Sequence, residues 1–200
     1  IVLDMKKYRF LLLLIMALFQ FSTGLSQIKV EREHRIKKNQ FPEAAHDFIK
    51  EKLKDAKRIR FYKETDTTKI SYEAKFKKDK LHYSIEFDQS GKLEDIEILI
   101  KEIDVPEDSW SKITTFLKEK FDKYKIKKIQ QQYPVTSDEP TETTLNNAFQ
   151  NLLIPTLNYE IMVWGKIQDN HADFEILFGA EGGFIKMRES LPANYDHVLY

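Results

Sequence analysis

The side chains best able to do chemistry in this sequence are its five histidines and its many carboxylates. His34, His46, His82, His171 and His197 form no pair at metal-ligand spacing, and there is no His-Glu-x-x-His run. A metal site needs three or four converging donors, so ordinary surface histidine is the simpler reading for each. No serine stands in a Gly-x-Ser-x-Gly turn, so a nucleophile elbow is absent. Gly182-Gly183 is too short to cradle phosphate and reads as a hairpin turn. There is no cysteine, which excludes disulfides, thiolate metal sites, a thiol nucleophile and a bacterial lipid-anchored N-terminus. Glu94, Asp95 and Glu97 sit together, as do Glu102 and Asp104. On an antiparallel edge such residues are expected to form a solvated face that discourages edge pairing. No catalytic residue, metal ligand or cofactor is expected, and the chain reads as a non-enzyme.

Charge narrows the partners. The 200 residues carry 32 basic and 32 acidic side chains, which argues against a dedicated nucleic-acid binder. The basic run from Lys50 to Arg60, with Lys37-Lys38 before it, is interrupted by Glu51 and Asp55 at helix spacing and reads as a solvated helix face. From Met5 the chain has a cationic start, the apolar run Phe10–Phe19 and small residues at Gly24 and Ser26. That is the pattern of a signal peptide over 1–26 with an upstream extension, cleaved before Gln27. The apolar run is shorter than the ~20 residues a membrane span requires, so no anchor is expected after cleavage and the location is periplasmic or secreted.

The elements that must position any site come in a repeated pattern. Phe48-Ile-Lys-Glu-Lys-Leu53 is echoed by Phe116-Leu-Lys-Glu-Lys-Phe121. Phe41, Ala45, Phe48, Ile49 and Leu53 form one helical stripe starting near Pro42, and Trp110, Ile113, Phe116, Leu117 and Phe121 form another, with Asp108 or Ser109 as its cap. Strands are predicted over 58–63, 69–77, 80–88 and 92–100, then over 125–131, 157–166, 172–178 and 183–188, with turns at Lys78-Asp79, Gly91, 168–170 and Gly182. The fold class expected is α+β, as two tandem units of one helix plus a four-stranded antiparallel sheet, over 27–105 and 106–200. The second unit carries an insertion at 133–156, whose segment Leu145–Ile154 is a helix candidate stopped by Pro155.

Tyr72-Glu-Ala-Lys-Phe76, Tyr83-Ser-Ile-Glu-Phe-Asp88 and Gly91-Lys-Leu93 resemble the strand-and-hairpin runs of the PepSY-like domains exported by Bacteroidetes-type bacteria, which are related in fold to beta-lactamase-inhibitor proteins. The resemblance covers residues 41–100 and, more loosely, 107–188, where Phe178-Gly179 stands in place of Phe87-Asp88. It implies a non-enzymatic exported domain with an inhibitory or partner-binding role.

Strand alternation then assigns faces. Ile70, Tyr72, Ala74, Phe76, Leu81, Tyr83, Ile85 and Phe87 point to the helix, and Ser71, Glu73, Lys75, His82, Ser84 and Glu86 away from it. In the second unit Leu157, Tyr159, Ile161, Val163, Phe174 and Ile176 take the helix side. Met162, Trp164, Leu177 and Phe184 are expected together on the opposite face, where an apolar patch marks an interaction site. The function expected is an exported binding or inhibitory module that engages an envelope or extracellular protein or peptide through that face. The alternatives are that Leu145, Phe149, Leu152 and Leu153 of the insertion fold over the patch, or that a small apolar ligand is carried between sheet and inserted helix.

Overall fold

The alternation of apolar and polar residues produces strands almost everywhere it was read. In the computed structural model, which describes residues 27–29, 32–66 and 69–190, the strands are β1 (Gln27–Lys29), β2 (Arg32–Ile36), β3 (Lys57–Asp66), β4 (Lys69–Lys78), β5 (Leu81–Asp88), β6 (Leu93–Ile100), β7 (Lys123–Pro134), β8 (Asn158–Ile167), β9 (Asn170–Gly179) and β10 (Phe184–Ser190). Three α-helices stand among the described residues: α1 (Glu43–Ile49), α2 (Glu107–Lys120) and α3 (Thr141–Phe149). The signal peptide, its cleavage and the absence of an anchor concern residues 1–26, which lie outside the described residues.

The expectation of two separate helix-plus-four-strand units is overturned. All the strands join one sheet in the order β1-β10-β9-β8-β7-β6-β5-β4-β3-β2, with β2 to β10 antiparallel throughout and β1 added parallel to β10. The physical reason lies at the boundary drawn between residues 105 and 106. Separate units would leave β6 and β7 as bare edges, and instead β6 pairs with β7 from Asp95↔Pro134 to Ile100↔Ile129. One core follows, running from Phe41, Ala45 and Ile49 through Ile113, Leu117 and Phe121 to Leu145 and Ala148, all against the same face of the sheet.

The repeated local parts survive inside this single sheet. Pro42 and Pro106 each occupy the N-cap of a helix, and neither Asp108 nor Ser109 is the cap. The Ser109 hydroxyl instead donates to the Ala180 carbonyl at 2.8 Å. Phe48 meets Phe87 edge-on at 6.4 Å as Phe116 meets Phe178 at 5.4 Å. The hairpin glycines Gly91 and Gly182, with φ of +84° and +78°, lie against the first turns of α1 and α2 respectively. The turn between β4 and β5 is Asp79-Lys80, one residue later than expected, and both residues have positive φ.

The sheet also curls. β1 and β2 pair at opposite edges, yet only two residues separate them, a span of roughly 11 Å at most. The edges therefore approach each other, and the three helices stand on the outer face. Among the described residues the inner face bears no helix.

Candidate functional site

Residues directly opposite each other on paired strands share a face, so the register gives the composition of the helix-free side. One row crosses it as Arg35, Tyr62, Glu73, Glu86 and Asp95. A second runs Arg60, Lys75, Ser84, Glu97, Gln132 and Asn158, and a third runs Leu99, Gln130, Glu160, Leu177 and Lys186. β3, β4, β5, β6 and β8 thus each contribute a glutamate (Glu64, Glu73, Glu86, Glu97 and Glu160), and β7 contributes two glutamines. The result is an acidic band across the sheet.

Much of this band is shielded from water without a helix above it. Glu73 is 3% exposed, Glu64 and Glu97 6% and Tyr62 1%. Charges in such a place must be paired or must change protonation. Lys75 serves one end, its ammonium 2.7 Å from Glu73 and 3.0 Å from Glu33, and lies over the Tyr62 ring at 4.9 Å. Burial pushes the Glu73 carboxyl up, but the Lys75 ammonium and hydrogen bonds from Lys75 and Ser84 outweigh it and hold the group below its ordinary range. Burial likewise works against the Lys75 charge, and Glu73 and Glu33 more than offset it. Asp95 and Glu97 behave oppositely. Burial first, then Glu97 and Glu160 around Asp95 and Glu160 and Glu86 around Glu97, raise both well above the ordinary carboxylate range. Gln132 Nε2 donates to Asp95 at 2.9 Å and Gln130 Nε2 to Glu97 at 2.6 Å.

Three of the four residues expected on an apolar patch do stand together. Met162, Trp164 and Leu177 are half-buried on the helix-free face, with Met162 two residues before Trp164 and diagonal to Leu177 across the Met162↔Glu175 pair. Trp164 packs on His171 at 5.3 Å, at the β8–β9 hairpin end, and Lys127 on β7 reaches Asp173 on β9 at 2.5 Å across β8. The patch is mixed rather than wholly apolar, because the buried Glu160 and Glu175 stand in the same rows. Phe184 is not part of it. A bulge between Phe184 and Lys186 shifts the strand by one residue, so Phe184 pairs with Phe178 and stacks on Phe116 of α2 at 4.6 Å. The inserted segment does not cover the patch either. Its helix α3 lies on the outer face, where Phe149 stacks on Tyr83 at 4.6 Å and on Phe76 at 6.3 Å.

The acidic band is what sequence reasoning missed. Glu94, Asp95 and Glu97 were read as an edge, but β6 is an inner strand with β5 and β7 on either side. A signal was present in the repetition of one glutamate at a polar-face position on strand after strand. The basic run has no helix to line beyond Ile49, since β3 begins at Lys57, and Lys50 and Lys54 pair with Asp47 and Glu51. Arg35, Lys37, Lys38 and Arg60 line an open groove beside β2.

No family model and no curated protein matches the sequence. Solved structures do match. A DUF2874 family protein of Bacteroides ovatus is 10% identical, with 74% of this chain and 87% of that one aligned at a TM-score of 0.51. A protein assigned to the periplasm of Bacteroides eggerthii is 14% identical over 78% of this chain and 93% of its own, at a TM-score of 0.52. A BLIP-like protein of Bacteroides fragilis aligns over 80% and 92% at 12% identity and a TM-score of 0.47. The first two establish a shared fold. The periplasmic assignment of the second agrees with the periplasmic or secreted location read from the N-terminus.

Proposed function

We propose that this chain is an exported, non-enzymatic binding module that engages a protein or peptide partner through the helix-free face of its curled sheet, in the manner expected of a PepSY-like domain. The observation that carries this reading is the position of Met162, Trp164 and Leu177. They are half-exposed neighbours on a face without a helix, and they are absent from the core packed beneath the helices. Partly exposed Trp and Met at the end of a face lined with charge are the usual anchors of such an interface, because they offer large adaptable apolar area inside a polar surround. The carrier reading is weaker, since Leu145, Ala148 and Phe149 fill the space between inserted helix and sheet with stacked rings.

The reading is tested by placing a photo-crosslinking amino acid at position 164 and, separately, at the exposed position Lys118 on α2. A discrete crosslinked protein from position 164 and none from position 118 is the expected result. The same crosslinks from both positions, or none from 164, would defeat it.

A further inference from the structure

The acidic band contains two groups of three carboxylates close enough to share one cation. Glu33, Glu64 and Glu73 form the first, and Glu73, Glu86 and Glu97 the second; within each, one oxygen per residue lies within 4.8 Å of the others. The Lys75 ammonium sits between Glu33 and Glu73 of the first group and so also touches the second through Glu73. The second spans β4, β5 and β6, and the hydrogen bonds into it include those from Ser84 to Glu73 and from Gln130 to Glu97.

A cluster of acids alone would be an ordinary charged surface. The independent sign of a ligand is Gln130. Its side chain is 6% exposed and is aimed at the cluster, with Nε2 2.6 Å from Glu97 Oε2. Its carboxamide Oε1 nevertheless has no hydrogen-bond partner among the described residues, and neither does the shielded Oδ1 of Asp95 two residues before Glu97. A buried acceptor without a donor is costly to leave unpaired. Here every bare atom is an oxygen acceptor, which a bound cation would complement. Lys128, on β7, is the other positive charge that bears on Glu97.

We propose that Glu73, Glu86 and Glu97, with the carboxamide oxygen of Gln130, form a binding site for a divalent cation of the calcium type. The donors are all oxygen, which suits a hard ion and not zinc or copper. Coordination flexibility selects among hard ions. Calcium takes six to eight oxygens in flexible geometry, so an irregular set of side-chain oxygens from three strands suits it. Magnesium demands near-ideal octahedral geometry and retains its waters. An ion here ties three neighbouring strands together at the middle of the curled face, and the site does not depend on the proposed partner.

The experiment uses protein stripped with a chelator, titrated with calcium chloride by calorimetry and melted in 10 mM calcium and in 10 mM magnesium. Sites in exported modules bind with Kd of about 10⁻⁴–10⁻³ M, so calcium should give a saturable heat and raise Tm by about 5–10 °C at the tight end of that range. Magnesium should raise it much less. Glu97→Gln and Glu86→Gln should each abolish the heat, whereas Asp173→Asn, at the hairpin end, should keep it. If a Gln variant does not fold, the wild-type titration still decides. No saturable heat and no shift at 10 mM calcium would overturn the site, and so would undiminished binding by folded Glu97→Gln, which would leave shared protons as the complement of these carboxylates.

Discussion

Replacing Gly182 with alanine tests how the β9–β10 hairpin is locked to α2. Gly182 has φ of +78°, and a Cβ built on it stands 2.4 Å from the Ser109 carbonyl oxygen and 2.9 Å from Ser109 Cα. Alanine must accept left-handed backbone, at about 1–2 kcal/mol. It must also push the first turn of α2 off the hairpin, which weakens the 2.8 Å bond from Ser109 Oγ to the Ala180 carbonyl, a net contribution of about 1 kcal/mol. The total is about 2–3 kcal/mol. For a chain of this size that lowers Tm by about 4–12 °C in a thermal melt followed by circular dichroism. The neighbouring Gly183 is the internal control, because a Cβ there meets nothing within 4 Å and its φ is not left-handed. Gly183→Ala should change stability by no more than about 0.5 kcal/mol. Equal losses at the two glycines, or a loss under about 1 kcal/mol at Gly182, would refute the contact between hairpin and helix.

Other outcomes follow from the packing and the charges. Phe116→Ala removes a ring that stacks on Phe184 and meets Phe178 edge-on, and being half-buried it should cost about 3 kcal/mol in urea unfolding. Gly165→Ala places a Cβ 2.4 Å from the Phe121 ring and should lower Tm by displacing that ring from the core. Asp95 and Glu97, raised above their ordinary 3.8 and 4.5, keep protons in the folded state that the unfolded chain gives up. Their contribution therefore favours folding at low pH and declines as pH rises from those values through the raised folded range. In chelating buffer the urea midpoint should fall as pH rises through that raised range, and Glu97→Gln, which cannot ionise against Glu160, Glu86 and Glu73 whatever Lys128 contributes, should flatten the decline. Glu73, held below 4.5, acts in the opposite sense and loses its contribution only as pH falls through its own lowered range.

What was legible in the sequence is what local periodicity controls. β3 to β6 and β8 to β10 lie within a few residues of their expected spans, because each strand alternates between a buried side such as Ala74, Phe76 and Ile85 and a polar side. β7 runs longer, to Pro134, because β6 gives it a partner to pair with along its length. The number of units was not legible for the same reason: a β6–β7 pairing joins segments separated by a helix, and no local pattern distinguishes it from two bare edges. At the candidate site the sequence gives the face of Met162 and Trp164, both on an unbulged stretch of β8 paired to β9. It misplaces Phe184, where one extra residue reverses the phase. The polar character of Glu73, Glu86 and Glu97 was legible, and the burial of Glu73 and Glu97 was not, since strand alternation assigns a face and not how far that face is covered.

The binding account is tested most directly by Trp164→Ala, used beside the wild type as bait in an envelope extract, with Tm measured on the same samples. Trp164 is outside the core, so its removal should leave Tm within about 2 °C. Loss of a central aromatic anchor costs about 2 kcal/mol or more, so recovery of the partner should fall by about 30-fold. A large drop in Tm with undiminished partner recovery would contradict the account and make Trp164 a structural residue of the curled sheet.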